Sequence, residues 1–379
     1  MATEFDIRRI VCYTKHRCGL LKRPFVVQPA VFNLERKNSM DTPSARISTA
    51  VGCNHRCSFC QTGGDYGSTA APVIPIKDER HGTLVVTALS LWDAGVRHFS
   101  ITGGEPLTNP RVTFELSAIL RMKLDQWKRE SSSSGCYLRL NTNGVLVKKY
   151  IDQVAKYYDL VKVSLHSLNP EVYASITGSR TPNADLGATL EGLAFLNERG
   201  IKVRLQSVAT PENVGELWRL IEFCRGFDNI TDFKVFDISE YPELWRDHGN
   251  GSAFWQQNYV SLDPLEKEIQ ERGGMLLEIA QSVGGYGNPM PIYQLGNLRI
   301  RLRHSSRGAY YSDACKTCKA WKTCGDGHCN AEVGPNGVIK VCRPMEGITF
   351  RPGQEGEVVA FFKNVHFNPR SDLQERWKR

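Results

Sequence analysis

Ala45 to Gln61 reads "ARISTAVGCNHRCSFCQ". A short apolar run ends at Gly52, and three cysteines follow at Cys53, Cys57 and Cys60, spaced CxxxCxxC. The same pattern of strand then polar loop recurs downstream. "RHFSIT" (Arg97 to Thr102) runs into Gly103-Gly104-Glu105-Pro106. "YLRLNTNG" from Tyr137, "LVKVSLHSL" from Leu160, "IKVRLQSVA" from Ile201 and "TDFKVFDIS" from Thr231 follow. Helix-like segments separate them. The clearest runs from Asp185 to Arg199, with Leu186, Leu190 and Leu193 on one stripe and Gly200 as its stop. Strands alternating with helices predict a parallel α/β sheet. Six strands suit either a partial (β/α)6 barrel or a doubly wound sheet. The polar groups at Cys53 to Cys60, Gly103 to Glu105, Asn141 to Asn143 and Ser164 to His166 fall at strand C-terminal ends, where parallel sheets bind ligands. They are expected to surround one site.

The 379 residues, 41% of them apolar, suffice for one large domain plus an appendage. Net charge is +8, which suits an anionic substrate but is too diffuse to argue for nucleic acid. No apolar run reaches the roughly 18 residues of a membrane span. The N-terminal stretch lacks the apolar core of a secretory signal, so a cytoplasmic location is expected. Twelve cysteines in a reducing compartment are then thiols or metal ligands. Cys12, Cys18, Cys136 and Cys224 are scattered and read as small buried hydrophobes.

On residues alone, CxxxCxxC fits a zinc site with His55 as fourth ligand, or an iron–sulfur cluster with one open iron. Taken with Phe59 before the last cysteine and "TGGEP" one strand later, the segment from Arg46 to Glu240 resembles the radical S-adenosylmethionine (SAM) superfamily. The resemblance implies a partial (β/α)6 TIM barrel. It also implies a 4Fe–4S cluster on Cys53, Cys57 and Cys60, with SAM on the fourth iron. One-electron cleavage of SAM then yields a 5′-deoxyadenosyl radical that abstracts hydrogen. By the same resemblance Phe59 lines the adenosyl site, Gly103, Gly104 and Glu105 lie at the methionine end, and Thr142, Asn143 and Ser164 touch SAM. An external electron donor such as flavodoxin or ferredoxin is implied as well.

A second group, Cys315, Cys318, Cys324, Cys329 and Cys342, lies in a Gly-rich segment and suits zinc or a cluster by itself. It resembles the SPASM and twitch extensions of the same superfamily, which implies an auxiliary 4Fe–4S cluster with one cysteine to spare.

Within the superfamily the chain most resembles the GTP cyclases of molybdenum-cofactor biosynthesis, through "RIS" at Arg46, "ITGGEPL", "VKVSLHSLNPEVYASITG" and "GIKVRLQSV". Arg46 and Arg204 stand where that branch places basic contacts to its triphosphate. The alternative for strand arginines is a simple carboxylate pair. The departures are Asn109-Pro110 for a double arginine, Asn330-Ala331-Glu332 for a basic run, and the ending "ERWKR" for Gly-Gly. They argue for a relative acting on another small anion, a nucleotide, nucleoside or sugar. His166 stands where the branch has an acid and is a candidate proton carrier or a spectator. "RIRLR" at Arg299 to Arg303 reads as the solvent face of a strand. A peptide-modifying maturase is the competing function, weakened because the segment before Arg46 is short for a leader-binding domain. A non-catalytic metal protein is the third. The expected organisation is an N-terminal extension over 1–45, the core barrel over 46–240, a connector over 241–300, an auxiliary cluster module over 301–350 and a tail over 351–379. The expected partners are a small anionic substrate and the electron donor, with no nucleic acid and no membrane.

Overall fold

Six strands run parallel and pair in chain order: β1 (Ser44–Ala50), β2 (His98–Gly103), β3 (Tyr137–Thr142), β4 (Leu160–Ser164), β5 (Val203–Val208) and β6 (Ile230–Phe236). The computed structural model describes residues 44–60, 78–131, 136–240, 251–280, 288, 290–307, 310–311, 330–341, 349–364 and 368–369. Sequential order decides between the two architectures left open above. Right-handed crossovers that always step the same way place their helices on one face, and the sheet curls as a barrel does. A doubly wound sheet would reverse its order midway.

The crossovers hold α1 (Asp78–Asp93), α2 (Pro110–Ser131), α3 (Ile151–Tyr157), α4 (Pro170–Thr177), α5 (Pro182–Glu198) and α6 (Leu217–Cys224). Local chemistry sets their ends. Asn169 caps α4 by accepting from the Glu171 amide, Pro170 opens it, and Gly178 closes it at φ 62°. Alternate strand residues such as Ile47, Ile101, Leu140, Val161 and Leu205 are fully buried, or nearly so, on one face, as are Leu116 and Leu120 of α2. That alternation leaves the charged residues Arg46, Arg139, Lys162, Arg204, Asp232 and Lys234 on the other face.

Among the described residues the sheet runs on past both edges of the barrel and does not close on itself. Beyond the core come α7 (Gly251–Asn258), α8 (Asp263–Glu271), β7 (Met275–Ala280), β8 (Met290–Leu295) and β9 (Leu298–Arg303). β9 adds in parallel to β6, and β8 and β7 continue the sheet antiparallel. Later come the two-residue strand β10 (Tyr310–Tyr311), then β11 (Ala331–Val333), β12 (Ile339–Lys340), β13 (Thr349–Phe350), α9 (Glu355–Asn364) and the two-residue β14 (Asn368–Pro369). β11 adds in parallel to the other edge at β1. The result is a 12-stranded sheet among the described residues, in the order β13-β12-β11-β1-β2-β3-β4-β5-β6-β9-β8-β7. The stretch expected as a connector, 241–300, therefore contributes strands, which short apolar runs such as "MLLEIA" and "MPIYQL" do not announce by period alone. Cys315, Cys318, Cys324, Cys329 and Cys342 lie outside the described residues.

Candidate functional site

The loop after β1 is held by main-chain bonds to two elements distant in sequence. The Gly104 amide donates to the Ala50 carbonyl at 2.9 Å, and the Glu105 amide to that of Gly52 at 3.0 Å. A Cβ on Gly104 would stand 2.0 Å from the Gly52 oxygen, so only glycine allows this approach. On the other side the Arg56 and Ser58 amides each donate at 2.8 Å to the Thr177 and Ile176 carbonyls, two of the otherwise orphaned acceptors at the end of α4. These contacts explain why "GGEP" and "EVYASITG" accompany the cysteines. Both segments are the seat of the cysteine loop.

Glu105 is buried and ties the β2 and β3 ends together. Its carboxylate accepts from the Leu107 amide (3.0 Å), the Thr142 hydroxyl (2.9 Å) and the Asn143 amide (2.7 Å). Burial raises its pKa to about 7, against the opposing pull of those donors. The Asn143 side chain reaches Asn54 at 2.7 Å and lies 4.0 Å from Cys53 Sγ. Thr142 and Asn143 thus stand beside the cysteines, and their hydrogen bonds serve Glu105 and the loop.

Burial pushes the Cys53 thiol up to about 12 and the Cys57 thiol well above the ordinary range; each also feels Cys60. Among the described residues, one trio of metal-ligating side chains has all its ligand atoms within 4.8 Å of one another: Asp263, Glu266 and His304. The cysteines are spread more widely. Zn–S bonds of about 2.3 Å at tetrahedral angles hold sulfurs only about 3.8 Å apart. The His55 Nε2, candidate fourth zinc ligand, is instead engaged by Asp185 (3.5 Å) and the Tyr173 hydroxyl (3.4 Å). The Asp263 trio is itself filled by a guanidinium, since Arg307 Nη2 lies 2.6 Å from Asp263 Oδ1 and also contacts Glu266.

An aromatic wall flanks the loop. Phe59 meets the His166 ring edge-on at 4.9 Å, and Phe59, Val208 and Trp255 each pack against the Ile238–Phe254 cluster. Trp255 of α7 is anchored by its indole N–H to the Ile238 carbonyl at 2.9 Å. His166 Nδ1 accepts from the Val208 amide at 3.1 Å, which puts the ring proton on Nε2. Burial first, then His55, lowers its pKa to about 3, so the ring is neutral near pH 7 and a poor proton acceptor. Ser164 is half-buried at the end of β4, two residues before His166.

Below this rim the polar face of the sheet is basic. Registers place Glu332, Arg46, Ser100 and Arg139 in one row across β11, β1, β2 and β3. Asn141, Lys162, Arg204, Asp232 and Arg299 form a second row from β3 to β9, with Lys234 and Arg301 paired in the next row up. Arg46 pairs with Glu332 at 3.5 Å, and Arg204 shares Asp232 with Arg299 and Arg301 at 3.6, 3.1 and 2.5 Å. Both candidate arginines therefore have the carboxylate partner foreseen as their alternative. Arg299 and Arg301 are not simply a solvent face, because Arg301 is only 14% exposed. The two carboxylates are outnumbered by Arg46, Arg139, Lys162, Arg204, Lys234, Arg299 and Arg301. Among the described residues the buried Ser48 hydroxyl and both amide atoms of Asn141 have no hydrogen-bond partner. Lys162, Lys234 and Arg139 were missed in the sequence, which singled out only Asn141 among these neighbours. Their signal was alternation: each sits at the same strand parity as Arg46 or Arg204.

Residues 47–224 match the family model described as the radical SAM superfamily. A probable GTP 3′,8-cyclase of Thermococcus kodakarensis is 30% identical over 227 residues, covering 60% of this chain and 65% of that protein, just under two thirds of its length. One of Pyrobaculum aerophilum is 24% identical over 271 residues, covering 70% of this chain and 77% of that protein. Among solved structures, Streptococcus suis SuiB bound to S-adenosylmethionine aligns with TM-score 0.54 at 17% identity, over 88% of this chain and 67% of that one. The structure of histidine-tagged anSMEcpe with bound AdoMet aligns with TM-score 0.51 at 14% identity, over 86% of this chain and 84% of that one. At those identities the structures show a shared fold alone. The motif-bearing segment, residues 47–224, thus matches the radical SAM superfamily, and the parallel sheet is a fold shared with the solved structures.

Proposed function

We propose that this chain is a radical SAM enzyme whose substrate is a small anion of nucleotide type. The observation that carries the reading is a juxtaposition: three thiols at the C-terminal end of a parallel sheet, above an inner face where basic groups outnumber carboxylates. The donor set fits a 4Fe–4S cluster. Three thiolates leave one iron open, and their spread exceeds what a single zinc gathers. Cys53, Cys57 and Cys60 would hold it. When bound, such a cluster with SAM supplies one-electron cleavage and a 5′-deoxyadenosyl radical. Cys315, Cys318, Cys324, Cys329 and Cys342 would hold an auxiliary 4Fe–4S cluster, and a flavodoxin- or ferredoxin-type donor would supply the electron.

The chain's own residues do the positioning. Gly103, Gly104 and Glu105 fix the loop and the β3 end. Asn143 sets the polar side of Cys53. Phe59, neutral His166, Ile238 and Trp255 form an apolar wall that keeps water from the reacting carbon. The relatives' names support a nucleotide, while local structure argues against copying their substrate. Asn109, in place of arginine, donates to the Thr49 carbonyl at 2.9 Å, and Glu332 neutralises Arg46. A mono- or diphosphate or a carboxylate is favoured over a triphosphate.

Reconstituted anaerobically, the chain is expected to hold about eight irons, about four per cluster. Alanine at Cys53, Cys57 and Cys60 should remove half of them and all 5′-deoxyadenosine formation. Zinc without sulfide in the wild type would sink the reading. Arg204→Ala leaves Asp232 paired with Arg299 and Arg301, so the fold should survive. The substrate concentration it needs should rise on the order of a hundredfold, with uncoupled SAM cleavage intact.

A further inference from the structure

Lys162 is an inner-face lysine whose charge the sheet itself opposes. It is half-buried on β4, between Asn141 on β3 and Arg204 on β5. Arg139 of β3, Arg204 of β5, Arg46 of β1 and Lys234 of β6 all press positive charge on it. The acids of this face are already taken. Glu332 of β11 answers Arg46, and Asp232 of β6 is divided among Arg204 and the β9 arginines Arg299 and Arg301. β2 contributes Ser100 to the adjoining row, and its His98 is stacked on Tyr137. Among the described residues Lys162 has no hydrogen-bond or ion-pair partner, and neighbouring Asn141 has none for either amide atom.

We propose that binding of an anion at this face is coupled to uptake of one proton by Lys162, so that the basic layer completes its charge only when substrate arrives. The inference rests on the anion reading above. Burial first, and then the four like charges, hold the amine well below the usual lysine range in the free protein. A bound anion supplies the opposite charge and restores the ordinary preference for the ammonium. The proton comes from solvent, and no covalent bond changes. The sign follows from linkage. Below the free-state pKa, Lys162 is already charged and affinity is flat. Above it, affinity falls by up to about tenfold per pH unit until the bound-state pKa is passed. Arginine at this position would stay charged throughout and uncouple the two events.

The test is calorimetry of GTP and of pyrophosphate binding to the anaerobically reconstituted full chain, at one alkaline pH, in buffers of different ionisation enthalpy. The slope of apparent enthalpy against buffer enthalpy counts protons. Wild type should take up close to one proton more than Lys162→Arg, a comparison in which the ligand's own protons cancel. Wild-type affinity should also weaken with rising pH, which needs no variant. Equal proton counts in the two proteins, or a wild-type affinity and enthalpy indifferent to pH and buffer, would overturn the coupling and leave the anion site standing. If neither anion binds a wild type that still cleaves SAM, the anion reading falls and the coupling with it.

Discussion

Gly104 shows how much depends on a missing methyl group. Its amide bonds to Ala50, and any Cβ would be driven to 2.0 Å from the Gly52 oxygen, against backbone rather than a yielding side chain. Gly104→Ala must therefore push the β1 loop off the β2 end. The expected outcome is loss of the roughly four irons at Cys53, Cys57 and Cys60, with far-ultraviolet circular dichroism close to wild type. Iron and sulfide assays read the first and the spectrum the second. A variant that keeps its full iron would show that the loop can seat without this contact. Glu105 works differently. It bridges β2 and β3 with three accepted hydrogen bonds, so the same GGE triplet supplies both the close approach and the polar pin.

At the scale of elements, α8 is latched to the end of β9 by charge. Glu266 accepts from the Tyr293 hydroxyl at 2.7 Å, lies 3.3 Å from His304 Nε2 and contacts Arg307. Burial alone would raise its pKa, but the close approach of His304 and hydrogen bonds from Arg307 and Tyr293 outweigh it and bring the carboxyl from 4.5 down to about 2. A carboxyl depressed in the folded state stabilises the fold fully above its unfolded value, and that contribution is lost as pH falls through the folded one. Thermal midpoints should therefore fall between pH 4.5 and pH 2. Glu266→Gln should start lower at pH 7 and show a shallower fall over that window. Parallel acid profiles for the two proteins would mean that other carboxylates dominate. The α4 latch on the cysteine loop uses main-chain bonds instead, and carries no such pH signature.

Across the whole molecule, the sheet ends on an unusual strand. Among the described residues β7 is its terminal member, and Met275, Leu276, Leu277 and Ile279 are each more than half exposed. Glu278 is the only charge in the six residues, so the usual edge protection by lysine or proline is missing. Such an edge is prone to pair with another chain. Ile279→Lys should lower light scattering at high protein concentration without moving the thermal midpoint, because the side chain already stands 63% exposed. Unchanged scattering would show that the edge is silent in solution.

That strands alternate with helices in a parallel sheet was legible from residues alone, because alternation is a local property, whereas the spatial order that separates a barrel from a doubly wound sheet came only from the structure. The parallel core from β1 to β6 and the α5 helix, expected from Asp185 and found from Pro182, follow from that local code. What the chain beyond Glu240 does was not legible. β9 was readable as a strand from "RIRLR", but its partner β6, like β1 for the three-residue β11, lies far away in sequence, so only packing selects it. The same holds for charge. Sequence places Arg46 and Arg204 on strands, but register alone brings Glu332 and Asp232 to them. Lys162 is an ordinary lysine in a list of residues. Its lack of a carboxylate among the described residues arises only when five strands bring their alternate side chains to one face, since electrostatic energy depends on distance in space and not along the chain.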